Sequence, residues 1–121
     1  MTDTETATGP IFHLALPDDW AAAFTSGEYR ISTRGMTIDE VGYMHASTWA
    51  QIEATANRFY DDVEQLVLLT IDPGRVTSPV VFEPPAPGVD ELFPHIYGPL
   101  PVAAVVDTRF WIRGNTGWSL D

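Results

Sequence analysis

Three histidines, His13, His45 and His95, are the side chains of this sequence best suited to proton or ligand chemistry. An imidazole changes charge near neutrality, both donates and accepts hydrogen bonds, and ligates metals. Each stands among apolar or aromatic neighbours: IFHLAL around His13, YMHAS around His45 and FPHIY around His95. In such surroundings a neutral ring with one defined partner costs least. Alternate residues of an extended chain share a face, so Ile11, His13 and Ala15 point one way, and Tyr43, His45 and Ser47 share a face of their own. His95 precedes Tyr97 by two positions in a proline-bracketed segment, the kind of loop that holds binding residues in place. A pocket formed by some of these side chains is expected. The plainer alternative is that each histidine is buried and hydrogen-bonded to backbone.

Three chemistries use such residues. A three-histidine metal site needs nitrogens about 2.1 Å from the ion, and no HxH or i, i+4 spacing marks one, so no metal is expected. Phosphodiester hydrolysis by paired histidines needs two H-x-S/T motifs. Only His45-Ala46-Ser47 fits, since Ala15 and Tyr97 occupy the matching positions after His13 and His95. The third chemistry is binding of a dinucleotide by a strand histidine and an aromatic stacking partner. If the chain is an enzyme, His45 is the acid or base and Ser47 its companion. The sequence has no G-x-G-x-x-G, Walker loop or G-x-S-x-G. Among the carboxylates, Asp18-Asp19 and Asp61-Asp62 read as solvated helix ends. Glu28, in GEYR, stands out, with an exposed turn as its plainer reading. Arg30, Arg34 and Arg58 are half of the six cations, and an anionic ligand would meet these, helix N-termini or backbone amides.

These residues need a scaffold, and the chain can build one. It has 121 residues, 45% of them hydrophobic and 12% aromatic, which suits a single domain with one core. Seventeen acidic residues against six basic ones, all arginine, leave a formal charge of −11. That balance argues against a nonspecific grip on nucleic acid or anionic membrane. The absence of cysteine removes disulfides, thiolate nucleophiles and cysteine-based zinc sites. Residues 1–9, MTDTETATG, lack the charged and apolar parts of a signal peptide and read as a frayed tail of a cytoplasmic protein. Residues 10–121 form one domain.

IFHLAL is a short strand stopped by Pro17. Pro17, Asp18 and Asp19 open a helix that buries Trp20, Ala23 and Phe24 and stops at Gly27. Residues 28–32 read as a short strand, residues 37–40 as a turn, and VGYMHAS as an extended segment. Thr48 and Gln51 form a capping box for a second helix carrying Trp49, Ile52, Ala56 and Phe59. LVLLTI, residues 66–71, reads as a central strand buried on both faces. DPGR is a turn, residues 80–83 a further strand, and residues 103–113 a last long one. FPHIYGPLP, with three prolines, is expected to be irregular. The architecture is therefore α+β: two helices against a mainly antiparallel or mixed sheet.

The order of motifs resembles a known family. I-F-H-L, W-x3-F-x2-G-E-Y, G-Y-M-H-A-S, A-N-R-F-Y, L-V-L-L-x-I-D and F-P-H-I-Y-G-P-L, spanning Ile11 to about Arg109, are similar to the bacterial family known as domain of unknown function 952. The resemblance implies a split antiparallel sheet of the ADP-ribosyltransferase-like kind. In such enzymes a first-strand histidine holds the ribose of NAD and an aromatic stacks on nicotinamide. His13 resembles that histidine, and Tyr43 or Tyr97 the stacking residue. The glutamate that stabilises an oxocarbenium has no clear counterpart: Glu83 precedes two prolines, Glu91 lies in a loop, and the last strand offers only Asp107. The function expected is a cytoplasmic domain whose pocket is lined by His13, Tyr43, His45, Ser47, His95 and Tyr97, with Arg30 nearby. It would bind or process an NAD- or ADP-ribose-like nucleotide, with no other cofactor expected. A noncatalytic interaction module with structural histidines is the alternative.

Overall fold

The computed structural model describes residues 9–120, so the expected tail lies outside the described residues apart from Gly9. The first half of the chain runs β1 (Ile11–Ala15), α1 (Pro17–Ser26), β2 (Glu28–Tyr29), β3 (Ile31–Thr33), β4 (Met36–Thr37), α2 (Ile38–Val41), β5 (Met44–His45) and α3 (Trp49–Phe59). The second half runs β6 (Gln65–Ile71), β7 (Val80–Glu83), β8 (Phe93–Ile96), β9 (Leu100–Pro101) and β10 (Val105–Ile112). Two three-stranded sheets, ordered β1-β6-β10 and β5-β8-β7, carry the fold, with β2-β9 and β3-β4 as small satellite pairs. Every one of these pairings is antiparallel. The α+β class holds, with a third helix.

Period-two alternation explains why β6 is central. Val67, Leu69 and Ile71 join Ile11 and Ala15 in one core with Ala23 of α1 and Ile96 of β8. Leu66 and Leu68 join Phe12 and Leu14 in a second core, against Ile52 and Ala56 of α3 and the tryptophans Trp111 and Trp118. The β1-β6-β10 sheet is thus covered on both faces, as its continuous apolar runs require. Burying a single leucine or isoleucine of this kind contributes roughly 1.5–3 kcal/mol.

Four expectations are corrected. Residues 37–40 are not a simple turn: Thr37 caps the short helix α2, with its hydroxyl accepting from the Glu40 amide and the Glu40 carboxylate accepting from the Thr37 amide. Phe24 is exposed rather than buried, because Trp20 and Ala23 already turn the inner side of α1 to the core. Trp49 and Phe59 are half-exposed, and the buried face of α3 is Ile52, Thr55 and Ala56. Finally, FPHIYGPLP contains two strands, β8 and β9. Pro94 is tolerated inside β8 because it still accepts from the Ala46 amide, at 3.0 Å. The donor it lacks would have faced the same side, so one bond opposite Ala46 is lost while the β7–β8 pairing on the other side is unaffected. No helix among the described residues is long and apolar enough to cross a membrane.

Candidate functional site

The two main sheets meet at one residue pair and then part. Phe12 and Ser47 exchange both backbone hydrogen bonds, each 2.8 Å long, in an isolated bridge. Beyond that bridge a side chain takes over from the ladder: His13 donates Nδ1–H to the backbone carbonyl of His45 at 2.6 Å. A carbonyl only accepts, so Nδ1 carries the proton, and Nε2 accepts from the Tyr29 hydroxyl at 3.2 Å. Burial pushes the His13 imidazole down to about 4, against the opposing pull of the His45 carbonyl. Burial likewise raises the Tyr29 phenol, which stays a donor. His13 is therefore a neutral ring, fixed in one tautomer, spanning the split between the sheets.

A cavity of about 210 Å³ opens beside this split. One wall is β1, with Phe12, His13 and Leu14; another is the β5 segment, with Tyr43, His45 and Ser47. Thr55, Phe59 and Tyr60, on and just after α3, form the third. Alternation along β5 puts its three polar or aromatic side chains on one side, and the bridge to Phe12 fixes where that side faces. His45 is half-buried, and its Nε2 is buried without a hydrogen-bond partner among the described residues. Burial, reinforced by repulsion from His95, pushes the His45 ring down to about 4. The Ser47 hydroxyl is 3.1 Å from that of Thr55, which in turn donates to the Gln51 carbonyl. Thr55 has then used its proton, so Ser47 donates to it.

A second cluster lies beside the β5 wall, on the same face of the sheet. His95 is the cross-strand partner of His45 in the β5–β8 pair, with ring centroids 5.5 Å apart. Glu83, at the end of β7, accepts from His95 Nδ1 at 2.7 Å and also from the Tyr97 hydroxyl. A carboxylate accepts only, so the His95 proton sits on Nδ1, and the buried Nε2 has no partner among the described residues. The Tyr97 and His95 donors hold Glu83 below the usual carboxylate range, and Glu83 pushes Tyr97 up to about 12. Tyr43 stacks on His95 with centroids 3.9 Å apart and planes 15° from parallel. It joins the two clusters, since it also lines the cavity.

Of the residues expected from sequence, His13, Tyr43, His45 and Ser47 lie on the cavity. His95 and Tyr97 do not line it; they belong to the Glu83 cluster beside it. Arg30 is turned away, paired at 2.7 Å with Glu28 on the surface. Its neighbour Tyr29 takes the inward position, and adjacent residues of an extended chain face opposite sides. His45 and Ser47 share the lining without a hydrogen bond between them. Two positions apart on a strand is roughly 6.5 Å, too far for the direct nucleophile–base contact that covalent catalysis needs. Thr55 and Tyr60 escaped the sequence reading, which sets Glu83 aside because it precedes two prolines. Thr55 sat in plain view as the polar residue of an inward helical face, but nothing local marks Glu83, whose partners lie 12 and 14 residues away.

Two cations lie against aromatic side chains of the third wall, though neither lines the cavity. The Arg34 guanidinium lies 5.6 Å from the Tyr60 ring centroid and donates to the Phe59 carbonyl and to both Asp62 oxygens. Arg58 lies 5.5 Å from the Phe59 ring centroid and forms no ion pair among the described residues. No group of three or more His, Asp or Glu side chains among the described residues is arranged to hold a metal ion.

Fold and site together define a small antiparallel α+β domain, split around a histidine-lined cavity. The chain belongs to the family described as protein of unknown function (DUF952), whose model matches residues 14–108. Among solved structures, it is similar to a crystal structure of a double mutant of protein CC0527 from Caulobacter crescentus. The two are 25% identical, with a TM-score of 0.77 over 90% of this chain and 91% of the other. The crystal structure of CC0527 itself gives 24% identity and the same TM-score and coverage. Its solution NMR structure gives 23% identity and a TM-score of 0.67 over 92% of this chain and 91% of that one. No curated protein matches the sequence.

Proposed function

We propose that the cavity binds one end of an NAD- or ADP-ribose-like nucleotide, with its terminal ring inside and the phosphates outside. The observation that carries this reading is the pairing of two neutral imidazoles, His13 and His45, with aromatic walls in a single cavity, two of whose lining rings, Phe59 and Tyr60, carry arginines against them. At about 210 Å³, the cavity is smaller than the roughly 300–1,000 Å³ of sites for drug-sized ligands. One ring-sized group fits, and a whole dinucleotide does not. Tyr43, Phe59 and Tyr60 offer ring faces and edges, and His45 has a nitrogen to spare. Arg58 and Arg34 suit phosphates at the rim.

An ADP-ribosyltransferase-like architecture agrees with the split sheet and with a first-strand histidine at the split. By that analogy the nicotinamide end enters. The reading is one of binding rather than transfer, because no carboxylate lines the cavity and Glu83 is engaged by His95 and Tyr97. A protein whose histidines only secure the split is the second reading. It draws on His13, both of whose ring nitrogens are satisfied within the protein.

Thermal unfolding in the presence of NAD, ADP-ribose, nicotinamide and AMP separates the two. A ligand at about a hundred times its dissociation constant stabilises by roughly 2.7 kcal/mol, a rise of several degrees in Tm. NAD is expected to give such a rise, nicotinamide a smaller one and AMP none. His45→Ala is expected to abolish the rise while leaving the free protein folded. No rise with any of the four overturns the proposal, and unfolding of His45→Ala favours the structural role.

A further inference from the structure

We propose that β10 pairs with the β10 of a second copy of this chain, antiparallel about a twofold axis at Thr108, joining the two β1-β6-β10 sheets into one. This inference is independent of the cavity. β10 is eight residues long and forms one edge of its sheet. The opposite edge, β1, is occupied, because Phe12 exchanges hydrogen bonds with Ser47.

The direction of the free backbone groups follows from the ladder. Arg113 donates its amide to the Glu64 carbonyl at 2.9 Å. Antiparallel residues alternate, so Trp111, Arg109 and Asp107 also turn their backbone groups toward β6. Ile112, Phe110 and Thr108 therefore present theirs to the outer edge. Natural edges are blunted by lysine, proline or a bulge; the chain has no lysine, β10 has no proline, and its bulge, between Val105 and Asp107, leaves the ladder from Asp107 to Ile112 in regular register. Its apolar side chains are left open instead: Val106, Phe110 and Ile112 are 50%, 63% and 57% exposed.

The sequence of β10, VVDTRFWI, is complementary to itself in this register. With Thr108 opposite Thr108, Asp107 of each copy faces Arg109 of the other, within the part of β10 whose register is regular. Neither Asp107 nor Arg109 has an ion pair among the described residues. Centring the axis on Phe110 instead would set Arg109 against Trp111 and Asp107 against Arg113, whose guanidinium is already held by Asp61 at 2.9 Å. Two strands and their side chains bury less than the roughly 1,600 Å² of a standard interface, so the association is reversible.

Sedimentation velocity over a concentration series of the full chain is the test. Wild type is expected to show a monomer–dimer equilibrium. Arg109→Asp places like charges opposite each other twice and should weaken it roughly tenfold. The double swap Asp107→Arg with Arg109→Asp should restore it, which a mere folding defect would not allow. Hydrogen-bonded antiparallel partners have Cα atoms about 5.5 Å apart, within disulfide range. Thr108→Cys in this cysteine-free chain should therefore give a covalent dimer on mild oxidation, and Glu91→Cys should not. A monomer at every concentration, a dimer indifferent to Arg109→Asp, or cross-linking through Phe110→Cys in place of Thr108→Cys overturns the proposal.

Discussion

His13 and His45 sit in one cavity but are chemically unlike. His13 is satisfied at both nitrogens and ties β1 to β5, whereas His45 keeps a buried nitrogen without a partner. Burial holds both near 4, below the 6.5 of a free histidine. The folded state therefore binds fewer protons than the unfolded chain between those two pH values. The stability that depends on neutral rings is complete above about 6.5 and is lost as pH falls toward 4. Across that window each histidine contributes up to roughly 1.4 kcal/mol per pH unit. Urea unfolding at pH 7 and pH 5 should show a loss of a few kcal/mol in wild type, with a smaller pH dependence in His13→Gln. Glu83 offers a separate check. Without its carboxylate charge, Glu83→Gln should return the Tyr97 titration from about 12 toward an ordinary phenol, visible as a shift of one tyrosine in the ultraviolet. An unchanged curve would contradict the pairing. Faces were legible at this scale: period-two spacing brings Tyr43, His45 and Ser47 to one wall. Partners were not, because Glu83 reaches His95 through pairing of β7 with β8 that no local pattern records.

Elements with internal signals were legible. Gln51 accepts from the Thr48 amide at 3.0 Å at the start of α3, as the capping pattern requires. The apolar run of β6 lies between β1 and β10. Elements that depend on tertiary pairing were misread: β8 survives its proline only because of what lies beside it. The C-terminal segment was likewise invisible. Trp118 donates its indole N–H to the Tyr60 carbonyl at 2.8 Å, and its backbone exchanges hydrogen bonds with the Asn57 side chain. Gly117 makes that approach feasible. Its φ is +123°, and a Cβ there would stand 2.6 Å from Asn57 Oδ1. Gly117→Ala should cost roughly 1–3 kcal/mol in denaturant unfolding. Gly88→Ala, at φ +84° with open space around it, should cost less. Equal losses would mean that backbone strain alone matters and that the Asn57 contact does not.

At the scale of the molecule, two cores on either face of β1-β6-β10 hold a rigid frame, and the parting of that sheet from β5-β8-β7 leaves the cavity. The charge of −11 makes the arginines beside Phe59 and Tyr60 conspicuous, since the proposed nucleotide would approach them against an unfavourable overall field. Binding of a nucleotide should therefore weaken in Arg58→Ala and grow less sensitive to salt than in wild type. An equal salt dependence in both would remove Arg58 from the site. The most direct measurement of the central claim is an NMR titration of the full chain with NAD, following the imidazole signals of all three histidines. Saturable shifts at His45 and His13, with lesser ones at His95, which does not line the cavity, are the predicted result. Signals unmoved at millimolar NAD, or shifts confined to residues remote from β1, β5 and α3, would contradict it.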